Sequence, residues 1–314
     1  MNIAIYKPLK KVYFHDDSED NAAWSYEIAH VAKILAKNGH DVYMISESDL
    51  NDNPRIEGIG QGSIESTYDR IIIWSGTFKD DVNGEAIIAT LRKQTPRLDF
   101  MLTDLRLVPQ DKELYKLFDN VYTQATRNIA SVPVENQIYA GVAEFLPFGH
   151  EYKQTVEQAM ENKRVDYYFG GTERGRLMDF LEYVWRPECL ITTKSAFLKV
   201  ENRVNRKDYM SLLDATKYSI VIADVDYNDN YFITPRPYEY YMHDIICFVD
   251  NKFDRDGHII PLDSWLRVNN FKELKEKMGM IDSMPELHQQ WLMWQREQMT
   301  PDLIDGSYVY NLIK

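Results

Sequence analysis

The segment between Tyr218 and Glu239, YSIVIADVDYNDNYFITPRPYE, combines an apolar strand, a polar loop and the start of a helix. The strand is predicted over residues 219–223, and the helix begins at Pro-Arg-Pro because proline suits the first helical turn. Arg236 and Glu239 are three positions apart, so they share one face of that helix. Unpaired N–H groups at a helix N-terminus favour an anion. This pattern suits a nucleoside diphosphate, with Arg236 on the phosphates and Glu239 on the ribose hydroxyls.

A glycine-rich turn precedes this segment, with the sequence GGTERGR over residues 170–176. Its glycines let the backbone approach a phosphate, and Arg174 and Arg176 can neutralise the phosphate charge. The turn matches neither GxGxxG nor GxxxxGK[ST], so it supports neither a dinucleotide fingerprint nor a P-loop. Taken alone, the turn is equally compatible with a tight connection that binds nothing. Together with Arg236 and Glu239, it favours a diphosphate site.

Three acidic positions are candidates for further roles. Asp104 follows a buried strand at the edge where open α/β sheets bind ligands, so it can act as a general base toward an acceptor hydroxyl. Pairing with Arg106, or capping of the next element, is the open alternative for Asp104. Glu27 lies inside a helical pattern, where it faces either solvent or a sugar. Asp224 and Asp226 form a DxD pattern, and Asp224 is a candidate neighbour of a bound Mg²⁺.

Strand and helix patterns alternate along both halves of the chain. In the first half, strands are predicted over residues 1–7, 41–46, 70–76 and 98–105, and helices over 24–37 and 85–93. In the second half, strands are predicted over residues 165–171, 189–193, 219–225 and 245–250, and helices over 176–185, 206–216, 238–243, 271–277 and 285–299. The strands are continuously apolar, which indicates parallel sheets covered on both faces. The predicted fold class is α/β, with two similar domains, a cleft between them and a boundary near residue 150.

The composition excludes several protein classes. The 314 residues are 44% hydrophobic and 13% aromatic, which is typical of a globular protein of two domains. No apolar run approaches the roughly 20 residues that a membrane-spanning helix needs. The N-terminus lacks a secretion signal, and Cys189 and Cys247 show no CxxC spacing, so we expect a reduced, cytoplasmic enzyme. The net charge of −13 is spread over both halves, and this argues against nucleic acid as a partner.

These motifs resemble the bacteriophage DNA beta-glucosyltransferase family of T-even phages. Enzymes of that family have the GT-B fold and transfer glucose from UDP-glucose to 5-hydroxymethylcytosine in duplex DNA. The similarity is collinear over nearly the whole chain, and its segments are MNIAIYK, NGHDVYMIS, RIIIWSG, MLTDLRL, YYFGGTERGR, IADVDYNDNYFITPRPYE and ICFVDNKFD. The resemblance implies two Rossmann-like domains facing across a cleft. Their expected bounds are 1–150 for acceptor binding, 151–290 for UDP-sugar binding, and 291–314 for a C-terminal helical segment that packs back toward the first domain.

The resemblance also implies roles for individual residues. By position, Asp104 is similar to the catalytic base, Glu27 to an acid near the sugar pocket, and Asp224 to an acid close to the donor site, beside an optional Mg²⁺ or Mn²⁺. The implied UDP contacts are Gly171, Thr172, Arg174, Arg176, Tyr227, Arg236 and Glu239. The chain departs from the family in a short loop after Asp104, a reduced basic segment over residues 194–206 and one extra residue before Arg236. The donor site is therefore better supported than the acceptor site.

The implied activity is an inverting transfer of glucose or arabinose from a UDP-sugar to the hydroxyl of a 5-hydroxymethylcytosine-like pyrimidine in double-stranded phage DNA. The modification would protect the DNA from host nucleases, in the host cytoplasm, through a monomeric enzyme that flips the base out of the duplex. Two alternatives stay open: a GT-B transferase with a non-DNA acceptor, which the acidic charge favours, and a non-catalytic nucleotide-binding module. A dehydrogenase is disfavoured, because KPLKKVYFHDD and not a glycine fingerprint follows the first strand.

Overall fold

The computed structural model describes the chain as two compact units. The described residues are 1–6, 23–45, 58–74, 84–102, 112–123, 137–139, 148–173, 175–195, 199–202, 204–230, 234, 236–253 and 262–314. Unit 1 comprises Met1–Leu146 and Gly306–Lys314, and unit 2 comprises Pro147–Asp305. Within the described ranges, every helix is too short or too polar to cross a membrane.

Strands and helices follow one another along both units. The strands are β1 (Asn2–Tyr6), β2 (Asp41–Ile45), β3 (Gly60–Gln61), β4 (Arg70–Trp74), β5 (Leu98–Leu102), β6 (Asn120–Thr123), β7 (Gln137–Tyr139), β8 (Val165–Gly170), β9 (Leu190–Thr192), β10 (Lys194–Ser195), β11 (Val200–Glu201), β12 (Thr216–Val221), β13 (Ile246–Asp250) and β14 (Arg267–Val268). The α-helices are α1 (Ala23–Lys37), α2 (Gly84–Lys93), α3 (Val156–Asn162), α4 (Leu177–Asp179), α5 (Arg206–Ala215), α6 (Val225–Asn230), α7 (Arg236–Met242), α8 (Phe271–Ser283), α9 (Pro285–Glu297), α10 (Pro301–Asp305) and α11 (Ser307–Ile313). In the described parts of the chain, 3-10 helices span Lys112–Leu117 and Ser264–Leu266.

Unit 1 is built on a parallel seven-stranded sheet in the order β3-β2-β1-β4-β5-β6-β7. The central strand β1 pairs with β2 and β4, so that Ile5 lies opposite Met44 on one side and Ile72 on the other. Every residue of β4 and β5 is buried, which accounts for their apolar sequences apart from Arg70 and Asp99, which pair with each other. The order of strands reverses between β1 and β4, as in a doubly wound nucleotide-binding fold.

A buried arginine ties the last helix into unit 1. Arg70 is 1% exposed, and its Nε donates to Asp99 Oδ2 at 2.6 Å. The same guanidinium donates to the hydroxyl of Tyr122 at 2.9 Å and to the carbonyl oxygen of Ile313 in α11. A buried charge of this kind is tolerated because every side of it meets an acceptor or the carboxylate. Residues 306–314 therefore belong to unit 1, whereas α9 and α10 belong to unit 2.

Unit 2 contains a second parallel sheet, of five strands in the order β14-β13-β12-β8-β9. Its helices begin where the sequence supplies caps. Thr155 and Gln158 form a reciprocal capping box at α3, and Asn270 accepts from the backbone N–H of Glu273 at the start of α8. Pro285 occupies the first turn of α9. These signals are local, and α8 and α9 start at residues 271 and 285, where the sequence predicts them.

The core of unit 2 is aromatic. Trp265 and Trp291 stack with ring centroids 5.3 Å apart, and Trp294 meets Trp291 edge to face at 5.9 Å. His288 lies one turn earlier on α9 and is 4% exposed. Burial lowers the pKa of His288 to about 4, so the imidazole is neutral in the folded protein near neutral pH.

The prediction of parallel sheets in an α/β fold is confirmed. The polar stretch after β12 was expected to be a loop, but it contains the six-residue helix α6. Val225 N–H donates to the carbonyl of Gly175 at 3.1 Å, and the next turn closes onto the carbonyl of Asp224. Contacts distant in sequence thus override the turn-forming tendency of Asn and Asp. The helix predicted over 176–185 is shorter than expected and continues as a π-helical turn over Phe180–Val184.

Candidate functional site

The candidate site lies at the carboxyl edge of the sheet in unit 2. The chain runs from β8 outward to β9, then crosses to β12 on the other side of β8 and continues to β13 and β14. The order of strands therefore reverses between β8 and β12. Open α/β sheets bind ligands in the crevice at such a switch point. The glycine-rich turn follows β8, and the segment leading into α7 follows β12, so both sequence motifs meet at this edge.

The turn after β8 has a backbone that only glycine adopts readily. Gly171 has a φ of +154°, and its N–H donates to the carbonyl of Thr192 at 3.1 Å. A Cβ at Gly171 would lie 3.1 Å from the ring of Phe169 and 3.2 Å from Arg176 Nη2. The face of the turn toward Phe169 and Arg176 is thus tightly packed, while its other face borders a pocket. This is the arrangement that lets backbone groups come close to a ligand.

Arg176 bridges the two sides of the switch point. Its Nε donates to the carbonyl of Thr172 at 2.9 Å, and its Nη1 donates to the carbonyl of Ile222 at 2.6 Å. The first carbonyl belongs to the turn after β8 and the second follows β12. Arg176 therefore fixes the shape of the crevice in addition to contributing positive charge. Its predicted role as a UDP contact stays a prediction.

A second arginine lies on the same aromatic ring. The guanidinium carbons of Arg176 and Arg236 are 5.4 Å and 5.5 Å from the ring centroid of Phe169. Arg236 Nη1 also donates to the carbonyl oxygen of Gly170 at the end of β8. Two cations are therefore held around one buried ring and the strand end that it belongs to. An anion such as a diphosphate would relieve the repulsion between them.

Glu239, one turn into α7, faces a tyrosine from α5. Glu239 is 7% exposed, and the hydroxyl of Tyr209 donates to Glu239 Oε2 at 3.0 Å. Burial and the adjacent carboxylate raise the pKa of Tyr209 well above its usual value, so this hydroxyl keeps its proton and remains a donor. Tyr209 also lines a pocket of about 170 Å³ together with the turn after β8 and the end of β9.

Asp224 packs against the other end of the glycine-rich turn. Gly175 has a φ of +59°, and a Cβ there would lie 2.9 Å from Asp224 Cγ. Tyr227 follows in α6 and is 8% exposed. A second pocket, of about 450 Å³, opens beside Gly175 and is lined in part by Asn228 and Lys252. Asp224 thus helps to hold the turn in place.

A protein-only metal site is absent from the described part of the chain, where no three His, Cys, Asp or Glu side chains converge. Asp224 alone fits a divalent cation only if the phosphates of a bound nucleotide supply most of the oxygen ligands. Mg²⁺ is commonly bound in that way, through one or two carboxylates and substrate phosphates.

Most of the predicted donor-site residues converge in unit 2. Those that the structure places at the carboxyl edge of its sheet are Gly171, Thr172, Arg176, Asp224, Tyr227, Arg236 and Glu239. Asp104 and Arg174 lie outside the described residues. Glu27 is described only as a backbone position within α1 of unit 1. The roles proposed for these three residues stay predictions.

Sequence reasoning missed four residues that border the site. Both arginines lie against the ring of Phe169, and Tyr209 donates to Glu239. Thr192 ends β9 and Thr193 follows it, and both lie beside the glycine-rich turn. The two threonines had one usable signal, since they end the strand predicted over residues 189–193, at the edge where ligands bind. Tyr209 had none, because it lies in the middle of a helix far from either motif.

Known proteins resemble this chain in structure alone. No family model matches the sequence, and no curated protein matches it. The DNA modifying enzyme beta-glucosyltransferase superposes with a TM-score of 0.69 and 18% identity, over 99% of this chain and 97% of that one. BGT of T4 phage, in complex with UDP and Mn²⁺, gives 0.66 and 18% over the same shares of the two chains. HepE of Anabaena, in complex with UDP and glucose, gives 0.57 and 12% over 99% and 98%. The chain therefore has the GT-B fold of T4 phage beta-glucosyltransferase.

Proposed function

We propose that this protein is an inverting glycosyltransferase that uses a UDP-sugar as donor. The observation that carries the proposal is the pair of arginines held around Phe169 at the switch point of unit 2. A diphosphate is the leaving group of a nucleotide-sugar donor, and cations placed where its charge develops stabilise the transition state. The same fold in BGT and HepE is seen with UDP, which agrees with this assignment.

The diphosphate and the ribose of the donor have candidate partners in unit 2. Arg236 and Arg176, with the backbone around Gly171, suit the diphosphate. Glu239 suits the ribose hydroxyls, since a carboxylate accepts hydrogen bonds from both. Arg174 and Tyr227 are further candidates for UDP contacts, by resemblance. A Mg²⁺ or Mn²⁺ beside Asp224 would neutralise phosphate charge when bound.

Asp104 is the candidate base for the chemical step. Its carboxylate takes the proton of the acceptor hydroxyl while that oxygen bonds to the anomeric carbon of the sugar. The bond from that carbon to the phosphate oxygen breaks, and UDP leaves with the electron pair from the opposite face. The configuration at the anomeric carbon is therefore inverted. Glu27 is the candidate for positioning the sugar.

The proposed acceptor is the hydroxyl of a 5-hydroxymethylcytosine-like pyrimidine in double-stranded phage DNA, and the sugar is glucose or arabinose. Support comes from the resemblance of the sequence motifs to those of the phage DNA beta-glucosyltransferases and from the matching fold of a DNA modifying enzyme. Reaching a base inside a duplex requires flipping it out, at a cost of a few kcal/mol. The modification would protect phage DNA in the host cytoplasm, and we propose that the enzyme acts as a monomer.

A non-DNA acceptor is the second candidate. The net charge of −13 disfavours a polyanionic substrate, because like charges repel over the Debye length of about 10 Å at moderate salt. HepE, which has the same fold, shows 12% identity to this chain, a value not far below that of the phage enzyme. A small molecule or polysaccharide acceptor would remove the electrostatic objection.

The decisive experiment incubates the protein with UDP-glucose or UDP-arabinose and duplex DNA, with or without 5-hydroxymethylcytosine. Mass spectrometry of the released nucleosides should show a glycosylated nucleoside only with the modified DNA. Hydrolysis of the UDP-sugar without any glycosylated nucleoside would instead favour a non-DNA acceptor.

The variant Asp104→Asn tests the base. It should abolish transfer and leave the Kd for UDP, measured by calorimetry, near the value of the unsubstituted protein. Asp41→Asn is the matched control, because Asp41 is an exposed aspartate at the start of β2 in unit 1. Full activity in Asp104→Asn would remove this residue from the mechanism.

A further inference from the structure

A short strap, residues 148–153, leads the chain from the start of unit 2 toward α3. The strap forms neither helix nor strand, so individual contacts hold it in place. The N–H of Gly149 donates to the carbonyl of Ile304 in α10 at 2.8 Å. The hydroxyl of Tyr152 donates to the carbonyl of Tyr241 in α7 at 3.0 Å. The strap is therefore attached to unit 2 at two points, one near each of its ends.

The ring of Tyr152 contacts both a cation and an imidazole. The guanidinium carbon of Arg296, in α9, is 4.2 Å from the centroid of the tyrosine ring. The ring of His150 lies 4.6 Å from the same centroid and is perpendicular to it. Arg296 and His150 are therefore closer together than the Debye length of about 10 Å at 0.1 M salt, so the charge of Arg296 acts on His150 with little screening.

The surroundings of His150 suit a neutral imidazole. Its Nε2 is buried and has no hydrogen-bond partner among the described residues. A protonated imidazole donates from both nitrogens, and a buried charged donor without an acceptor is costly. Burial lowers the pKa of His150 below its usual value, and nearby His243 lowers it further.

The carboxylates near His150 are already paired with other cations. Asp244 accepts from Nε and Nη2 of Arg296, each at 2.7 Å, and Asp214 Oδ1 lies 2.7 Å from Nδ1 of His243. Another cation lies beside them, because Lys163 Nζ donates to the carbonyls of Asp214 and His243. Further charged side chains on the strap, α3, α9 and α10 are exposed to solvent, namely Glu151, Lys153, Glu157, Glu297, Asp302 and Asp305.

This cluster is distant from the candidate donor site. Asp214 lies just before β12, and Asp244 lies just before β13, so the cluster is at the amino edge of the sheet. The glycine-rich turn and Arg236 are at the carboxyl edge. The proposed transfer reaction uses none of the groups around the strap.

We propose that the strap is a pH-sensitive fastening, which releases from unit 2 when His150 is protonated in mildly acidic solution. In the attached strap, the protonated ring would be a second cation beside Arg296, without an acceptor for its Nε2. In the released strap, water solvates the charge. Attachment is therefore complete above about pH 6.5, where a free histidine is mostly neutral, and it weakens as the pH falls below that value. Because the strap lies at the start of unit 2, its release lengthens the connection from unit 1.

Hydrogen exchange of the Gly149 amide measures the attachment, because that N–H is bonded to Ile304 only while the strap is in place. Between pH 7.5 and pH 5.5, its protection should fall by up to about tenfold after correction for the intrinsic exchange rate, since pH 5.5 is about one unit below the pKa of a free histidine. At both pH values, Gly149 should be less protected than the amides of β12 and β13, because the strap opens while the sheet stays folded.

Three variants separate protonation from packing. His150→Phe keeps an aromatic ring beside Tyr152, and His150→Gln keeps a polar side chain. Neither can be protonated, so both should remove the pH dependence of the Gly149 protection, whatever its absolute level. Tyr152→Phe removes only the hydroxyl bonded to Tyr241, so it should lower the Gly149 protection about three- to tenfold at both pH values and keep the pH dependence.

Four results would overturn the inference. The first is equal protection of Gly149 at pH 7.5 and pH 5.5 in the unsubstituted protein. The second is an undiminished pH dependence in His150→Phe and His150→Gln. The third is protection of Gly149 equal to that of β12 and β13, which would show that the strap opens only when the whole unit unfolds. The fourth is unchanged Gly149 protection in Tyr152→Phe, which would show that the two attachment points are not coupled.

Discussion

Replacing Gly175 by alanine should damage the candidate site through two separable effects. Gly175 has a φ of +59°, a conformation that costs an L-residue roughly 1–2 kcal/mol. Its new methyl group would also lie 2.9 Å from Cγ and 3.2 Å from Cβ of Asp224, which is 9% exposed. Because Cβ of Asp224 cannot swing away, the turn or the start of α6 must move. Overpacking of this kind costs about 1–3 kcal/mol.

Gly149→Ala is the matched control in the same unit. Gly149 has a φ of +72°, and nothing lies within 4 Å of the position that its Cβ would occupy. Both variants carry the backbone strain and the same change in the entropy of the unfolded chain. The difference between them isolates the contact with Asp224. We expect Gly149→Ala to lose about 1–2 kcal/mol of unfolding free energy, and Gly175→Ala about 1–3 kcal/mol more.

Urea denaturation followed by tryptophan fluorescence measures both losses, and calorimetric titration measures the effect on UDP. Gly175→Ala should weaken UDP binding, because the displaced turn carries Arg176, while Gly149→Ala should leave it unchanged. If the two variants are equally stable, Asp224 does not brace the turn as described. If Gly175→Ala is destabilised but binds UDP normally, the glycine-rich turn is not part of the donor site.

Three further predictions concern single side chains. Burial lowers the pKa of His288 to about 4 from 6.5, so the imidazole binds a proton more readily in the unfolded protein than in the folded one. The free energy of unfolding should therefore be at its full value above about pH 6.5 and fall by about 3 kcal/mol toward pH 4. In pH-dependent urea melts, His288→Gln should flatten that fall. Asp99→Asn leaves a buried arginine uncompensated and should cost about 3–5 kcal/mol by urea denaturation, whereas Asp119→Asn, at a 38% exposed carboxylate, should cost about 1 kcal/mol or less. Tyr209→Phe removes the hydrogen bond to the carboxylate of Glu239, so the ratio of the affinities for UDP and 2′-deoxy-UDP should change by about three- to tenfold in calorimetric titrations. An unchanged ratio would show that Glu239 does not contact the ribose.

The sequence predicted the elements that carry strong local signals. The helix over Ala23–Lys37 has a long apolar periodicity and stops at Gly39, whose φ of +81° suits a helix end. The predicted strands of both sheets are mainly apolar runs, so their existence and parallel arrangement follow from pattern, whereas β3, β6, β7 and β14 are short and partly polar and were not predicted. Helix α6 was not predicted, because its six residues are rich in Asn and Asp and show no helical period. Its stability depends on Gly175, fifty positions earlier in the chain.

The site was predictable only where its residues lie in one motif. Arg236 and Glu239 are three positions apart, so a helix brings them together without knowledge of the fold. The pairing of Tyr209 with Glu239 depends on how α5 and α7 pack on the sheet, and no local spacing encodes that. Arg176 was expected to contact phosphate, but its bonds to the carbonyls of Thr172 and Ile222 appear only once β8 and β12 are known to be neighbours.

The attachment of α11 to Arg70 has a consequence for synthesis on the ribosome. Unit 1 is begun first, yet the carbonyl of Ile313 is made after all of unit 2. Until that carbonyl leaves the exit tunnel, the guanidinium of Arg70 lacks one of its hydrogen bonds, although the sheet around it is nearly complete. The part of unit 1 that is made first should therefore stay loosely packed while unit 2 folds, and α11 should complete it only after Ile313 has been made.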